Sequence, residues 1–537
     1  MKILKVACHL FGVEILLVLI LLSALGCRDS FLEEPMKYDP ISLSNEKAVQ
    51  LNDMLNQIDL ESDIVIVQKD GSIQEAVNAV SSGDVIYIEP GIYKESITSN
   101  KQDITLIGLS SSEEEQVILE NSKETVISLF PLKSSQFKRD WRRITMDRKD
   151  LGGKIAHYTF DVAMGEAQFD IIRIHRVVRE SRPYHPIRTK GDVFMVHGAI
   201  QDFDDIFLTA GTDVINAETS APFYLATKNI DVWGIDMAWT KVPIETSDFT
   251  FMKDWGLERD IDHTLKAMVI ARLIRGFTGQ GFCKMNLLGF SYGVHIAYGA
   301  AARETQIHPI CRDVKGIISV DNQIKFEDET TINNQCMVAN KQMELINSGE
   351  YHNPWGVGLI NLGSMALDAP DEPSPVPDFA GLTNIQVINA IASDHSSGFH
   401  FCGGTPFELY YTDPSRFVRL AVNLAPHMPR LMFYEMAASA CPSLDVSFDD
   451  HLGDIKLPIL YISAEGGDGQ IQDYTSSLTK STDITRLNVI DPGVETQFNI
   501  GHADIWMGYD AKDYMWEELC NWLIDHDRSW QNHWASK

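Results

Sequence analysis

From residue 191 onward, short and dominantly apolar runs recur between stretches with helical spacing. They are Asp192-Val-Phe-Met-Val, Ile230-Asp-Val-Trp-Gly-Ile-Asp, Lys284-Met-Asn-Leu-Leu-Gly, Val314-Lys-Gly-Ile-Ile-Ser-Val-Asp and Leu457-Pro-Ile-Leu-Tyr-Ile-Ser. A strand with one face in water alternates apolar and polar residues, whereas a strand covered on both faces does not. Strands of the second kind, separated by helical stretches such as 260–275 and the alanine-rich 294–303, predict an α/β fold: a mostly parallel sheet with helices on both faces. Upstream, 158–162 and 171–178 read as a strand pair joined by a turn at Met164-Gly165.

The alternation is interrupted once. Between Asn322 and about His451 lies a polar and aromatic stretch, helical in parts, before the strand at Leu457 resumes the series. Open parallel sheets bind ligands beyond the C-terminal ends of their strands, so an insertion there is expected to form a cap over the crevice. The expected main domain spans 150–537, with the cap at about 322–451.

The N-terminal third is organised differently. Lys2 and Lys5 precede an apolar run from Ile15 to Leu25 that ends in Ser23-Ala24-Leu25-Gly26-Cys27. The run is shorter than the ~20 apolar residues of a membrane span and reads as an export signal over 1–27. Gly26 before Cys27 resembles a bacterial lipobox, which makes Cys27 the expected lipidation site and the membrane a partner through an N-terminal anchor. The implied location is that of an exported membrane lipoprotein, or a periplasmic or extracellular protein. A polar linker follows over 28–62. In 63–122, Asp63-Ile-Val-Ile-Val, a small helix at 72–80, Gly83-Asp-Val-Ile-Tyr-Ile-Glu-Pro-Gly-Ile-Tyr and Ile104-Thr-Leu-Ile-Gly follow one another. That order resembles the opening coil of the pectin lyase-like parallel β-helix proteins. The resemblance implies a small β-helix-like module in contact with polysaccharide, but only one or two rungs, without the later rungs that carry that family's catalytic groups.

Composition excludes one class of partner. With 45 basic against 75 acidic residues, a net charge of −30 offers no field for a phosphate backbone, so no nucleic acid partner is expected. Cys283, Cys311, Cys336, Cys402, Cys441 and Cys520 are too sparse for a disulfide framework, although an oxidising compartment permits one to three bridges. Asp394, His395, His400 and Cys402 are close in sequence but irregularly spaced, and no metal site is expected from them or elsewhere.

Chemistry concentrates at Gly289-Phe290-Ser291-Tyr292-Gly293, between the strand ending at Leu288 and the helix beginning near Val294. A strand-to-helix turn with small residues on both sides lifts a serine Oγ out of the sheet, making Ser291 the candidate nucleophile. Serine needs a base, and the base needs an orienting acid. His502, in Phe498-Asn-Ile-Gly-His-Ala-Asp, precedes a helix with Trp516, Leu519 and Leu523 on its apolar face and is the candidate base. His295, His197 and His451 fit less well by position. The acid is expected in the loop Glu465-Gly-Gly-Asp-Gly after the strand 459–463, with Asp468 the first choice and Glu465 or Asp483 the alternatives. Backbone N–H groups of Tyr292 and Ala199, the latter in His197-Gly198-Ala199, are the expected oxyanion donors.

From about His157 to Trp534 the chain resembles the α/β-hydrolase superfamily, most of all its acid-lipase and bacterial esterase members. The motifs are His197-Gly198-Ala199, Val232-Trp-Gly-Ile-Asp236, the turn around Ser291, the Leu457-Pro-Ile-Leu-Tyr strand and Gly501-His502-Ala503-Asp504. The resemblance implies hydrolysis of small-molecule or lipid-like carboxylic esters through an acyl-enzyme, with no cofactor. The acid loop departs from the acid-lipase Gly-x-x-Asp pattern. A polysaccharide-associated pectin or acetyl esterase, or an inactive hydrolase-fold binding protein, are the alternatives.

Overall fold

The structure is a computed structural model that describes residues 64–527 apart from 83, 96, 100, 102–103, 110–116, 120–143, 396–399 and 469–472. The export segment, Cys27 and the linker to residue 62 lie outside the described residues.

Strands β1 (Ile64–Val67), β2 (Val85–Ile88) and β3 (Thr105–Gly108) form a parallel sheet in the order β1-β2-β3, with helix α1 (Ile73–Ala79) between the first two. Gly91–Tyr93 pairs in parallel with Val117–Leu119. The side chains sort by parity. Val65, Val67, Ile86 and Ile88 join Ile73, Ala76 and Val77 in a small core, while Ile66, Val85 and Tyr87 face the main core. Burial on both faces accounts for the uninterrupted apolar runs of β1 and β2.

The main sheet contains β4 (Ile144–Gly152), β5 (Ile155–Ala163), β6 (Ile171–Arg182), β7 (Gly191–Val196), β8 (Ile230–Asp236), β9 (Met285–Phe290), β10 (Val314–Val320), β11 (Ile459–Ala464) and β12 (Ile484–Val489). Its order is β12-β11-β10-β9-β7-β8-β6-β5-β4. The six strands from β12 to β8 are parallel, and β6, β5 and β4 continue the sheet antiparallel. Every residue of β7, β8, β9 and β11 is buried. Helices α2 (Ala221–Thr227), α3 (Leu257–Phe277) and α4 (Tyr292–Thr305) connect the strands, and α4 is buried almost throughout, its alanines allowing close approach to β9 and β10.

Strand order places the site. Because β9 lies beside β7 and not beside β8, the loops leaving β7 and β9 emerge as neighbours, at the reversal where such sheets bind ligands. Val196 pairs with Gly289 and Phe290 with Val320, so residues 197–199, 291–292 and 321 leave the same edge side by side. Between β10 and β11 come α5 (Glu329–Asn347), α6 (Trp355–Asp368), α7 (Asn384–Ala392), α8 (Pro414–Asn423) and α9 (Arg430–Ala440). A disulfide, Cys336–Cys441, ties α5 to the residue after α9, while Cys283, Cys402 and Cys520 are free thiols. Helix α10 (Glu517–Asp525) follows the loop that carries His502.

Candidate active site

Ser291 sits at φ 53° and ψ −117°, a region that a side chain-bearing residue occupies only when its surroundings force it. What forces it is close packing on either side. A Cβ on Gly289 would fall 2.0 Å from Gly293 O, and one on Gly293 would fall 2.4 Å from Val196 O. Only glycine lets β9 turn so sharply into α4 against β7. The Ser291 N–H donates to Val320 O at 3.0 Å, which fixes the turn to β10.

His502 is buried, and its ring stacks on that of Phe290, the residue before Ser291, with centroids 4.4 Å apart. The loop is pinned from the cap: His502 N–H donates to His400 O at 3.0 Å and Ala503 N–H to Phe401 O at 2.7 Å. Gly501 permits this approach, since an added Cβ would lie 2.7 Å from Phe401 O. Asp504 adds a second tie by accepting from Gly501 N–H at 2.8 Å, Gly403 N–H at 2.7 Å and Thr412 Oγ1 at 2.6 Å. His400 Nε2 in turn lies 2.8 Å from Asn499 O. The residues around His400 and Cys402 thus meet the loop of the candidate base through hydrogen bonds.

The carboxylate against His502 is Asp321, not Asp468. His502 Nδ1 lies 2.6 Å from Asp321 Oδ2, both side chains being fully or nearly fully buried. The other oxygen, Oδ1, accepts from Ala464 N–H at 2.7 Å and Asp468 N–H at 3.0 Å. Asp321 follows β10 directly at φ 52° and is held to the next strand by its own N–H donating to Ile462 O at 2.7 Å. The Glu465-Gly-Gly-Asp loop is therefore a cradle for the acid: a Cβ on Gly467 would lie 2.1 Å from Asp321 Oδ2. Asp468 gives this cradle its backbone amide. Its own carboxyl is buried, and burial together with the charges of Asp321 and Asp473 pushes its pKa well above the usual carboxylate range. A group pushed towards its neutral form is poorly suited to stabilise an imidazolium. Glu465 accepts from Asn488 Nδ2 and Thr496 Oγ1, each at 2.9 Å, and Asp483 faces His526 at 3.4 Å, so neither alternative is directed at His502. The sequence did carry a signal for Asp321, a carboxylate at the C-terminal end of the strand next to the nucleophile's strand. Its position ahead of the insertion, one strand earlier than the expected loop, hid it.

On the other side of Ser291, a Cβ on Gly198 would lie 3.1 Å from Ser291 Cβ, so the turn that leads to Ala199 passes against the nucleophile. His197 shapes that turn. Met237 N–H donates to its Nε2 at 3.3 Å, leaving Nδ1–H to donate to Gly198 O at 2.8 Å, and burial lowers its pKa to about 4, keeping it neutral. Tyr292 is the first residue of α4, where backbone N–H groups have no partner within the helix. Its hydroxyl is anchored away from the site on Asp260 Oδ2 at 2.7 Å, which also accepts from Trp239 Nε1 at 3.1 Å. His295 is buried in α4 and His451 pairs with Asp454 at 3.6 Å.

A mostly parallel sheet with this strand order, a glycine-flanked serine between strand and helix, and a histidine against a carboxylate make up the α/β-hydrolase fold. A candidate lipase from Sulfolobus solfataricus shares that fold at 19% identity and a TM-score of 0.50, covering 69% of this chain and 95% of the other. A candidate lipase from Acinetobacter baumannii aligns at 14% identity and a TM-score of 0.36, covering 72% and 93%. A thermophilic esterase from Thermogutta terrifontis aligns at 12% identity and 0.34, covering 68% and 98%. No protein-family model matches the chain, and no curated protein matches it. None of these structures supports the β-helix resemblance of residues 63–122.

Proposed function

We propose that this chain is a serine carboxylic-ester hydrolase, with Ser291 as nucleophile, His502 as general base and Asp321 as the acid that orients it. The observation that carries the proposal is the Asp321–His502 contact at 2.6 Å beside a serine held at positive φ. Asp321 keeps the proton on His502 Nδ1, so that Nε2 takes the Ser291 proton as Oγ attacks the ester carbonyl. The tetrahedral oxyanion is met by the N–H groups of Tyr292 and Ala199. His502 then returns the proton to the leaving alcohol, and water repeats the sequence on the acyl-enzyme. No step calls for a cofactor.

The substrates are small-molecule or lipid-like esters, selected by the helices between β10 and β11. The enzyme acts outside the cytoplasm, anchored through Cys27. The Cys336–Cys441 bridge supports an oxidising compartment, and no helix among the described residues is long and apolar enough to cross a membrane. A second reading, polysaccharide contact by the N-terminal module, draws on its parallel strand stacks. The test is hydrolysis of p-nitrophenyl esters of increasing chain length together with labelling by a fluorophosphonate. Turnover and labelling of wild type but not of Ser291→Ala are expected; wild type that neither turns over nor labels refutes an active hydrolase.

A further inference from the structure

Strands β5 and β6 bring two histidines together inside the molecule. His157 and His175 are both buried, with His157 Nε2 2.9 Å from His175 Nδ1. Asp204, on the segment that follows the oxyanion loop, sets Oδ1 3.8 Å from the first nitrogen and 3.7 Å from the second. That oxygen is itself buried and accepts no hydrogen bond among the described residues. The far nitrogen of His175, Nε2, lies 3.0 Å from Asp236 Oδ1 at the end of β8. Asp236 is held in turn by Lys241 Nζ at 2.6 Å and by Phe203 N–H at 2.9 Å.

Asp236 Oδ1 stands near His175 Nε2 without hydrogen-bond alignment; with the imidazole hydrogen on Nε2, His175 Nδ1 presents a lone pair, the arrangement that outer carboxylates impose on metal-binding histidines. A hydrogen bond from His157 Nε2–H, with the rings within 10° of parallel, satisfies that lone pair but leaves Asp204 Oδ1 with nothing. Lys241 is the only lysine or arginine paired with Asp202 or Asp236 among the described residues. Two imidazole nitrogens and a buried carboxylate oxygen without a hydrogen bond, all within 4 Å of one another, describe a site short of a cation.

We propose that His157 Nε2, His175 Nδ1 and Asp204 Oδ1 bind a zinc-class divalent cation, with Asp236 orienting His175. The point equidistant from the three atoms lies about 2.0 Å from each, the length of zinc bonds to histidine nitrogen and carboxylate oxygen. The cation takes the place of the hydrogen between the two nitrogens, which moves to Nδ1 of His157, and the rings turn from facing each other to facing the ion. Two imidazoles and one carboxylate suit zinc better than magnesium or calcium, which prefer all-oxygen sites. Asp204 is partly exposed, which gives the ion a route from solvent, and Phe203 and Phe207 stand between His175 and Phe290. The ion clamps β5 and β6 to the segment leaving the oxyanion loop and takes no part in ester chemistry. The site is additional to the sequence analysis, which expected no metal.

The experiment equilibrates the full chain, without a histidine tag, with zinc at about 100 μM, then removes free metal and measures bound zinc and Tm. About one zinc per chain is expected, with a Tm several degrees above the chelator-treated protein. Asp204→Asn and His175→Gln should lose both the zinc and the Tm increment, while Ser291→Ala keeps them. Wild type that holds less than about a tenth of an equivalent, with no response of Tm to zinc, overturns the proposal, and so do variants that retain the wild-type zinc.

Discussion

Asp321→Asn removes one charge at a site where both partners are buried and leaves the shape unchanged. The amide oxygen can still accept from Ala464 N–H and Asp468 N–H, so the cradle stays satisfied. The amide nitrogen then faces His502 Nδ1, which is 2.6 Å from the carboxylate in the wild type. A donor at that distance drives the imidazole proton to Nε2, the nitrogen that must accept from Ser291, and nothing remains to stabilise the imidazolium. Wrong-tautomer substitutions of this kind cost about 10⁴ in kcat, or about 5.4 kcal/mol at 1.36 kcal/mol per tenfold. The expected outcome is a loss of that order for p-nitrophenyl ester hydrolysis, with Tm within a few degrees of wild type and an unchanged circular dichroism spectrum. Asp468→Asn, made alongside, should keep activity within about tenfold, because its backbone amide and not its carboxyl serves Asp321. If Asp321→Asn keeps more than about a tenth of wild-type kcat while Asp468→Asn collapses, the acid is Asp468 and the reasoning from the 2.6 Å contact fails.

Other consequences can be checked independently. Gly293→Ala should lower Tm and cut turnover steeply, since its Cβ meets Val196 O at 2.4 Å; a variant with normal Tm and kcat would contradict the tight turn at Ser291. Glu304, buried at the end of α4 beside Asp313, has its pKa raised to about 8 by burial and by that charge. An acid whose folded pKa exceeds its unfolded value costs stability as pH rises, here from about 4.5 to about 8. Glu304→Gln should therefore flatten the fall of Tm over that range, and a Tm difference from wild type that is constant with pH would exclude this contribution. Opening the Cys336–Cys441 bridge by a double serine substitution frees a loop of 105 residues, for which chain entropy alone suggests about 4 to 5 kcal/mol; denaturant unfolding should show a loss of up to that size. Cys27→Ser should move the protein out of the carbonate-washed membrane fraction, and retention there would point to an uncleaved N-terminal helix instead of a lipid.

What the sequence determined by itself was local or periodic. Strands buried on both faces announce themselves in residues such as Val193, Phe194 and Met195, because no position along them meets water. The turn at Ser291 was legible because its requirement, glycine on both sides of a serine between strand and helix, is satisfied within five consecutive residues. His502 could be chosen because its loop and the following helix are contiguous in the chain. Pairings across long separations belong to the tertiary structure. Asp321 and His502 are 181 residues apart, and the contact depends on the register of β10 against β9 and β11 and on a glycine loop that folds around the carboxylate. Carboxylates at the end of β10 and in the loop after β11 both lie at the sheet's C-terminal edge, so strand order alone fits either. Backbone amides decided between them: two N–H groups converge on Asp321 Oδ1 and hold the carboxylate against His502, whereas Asp468 is buried beside it and driven towards its neutral form. The histidines on β5 and β6 were equally unreadable, because Asp204 and Asp236 reach them only once β8 lies beside β6 and the segment after β7 packs across both.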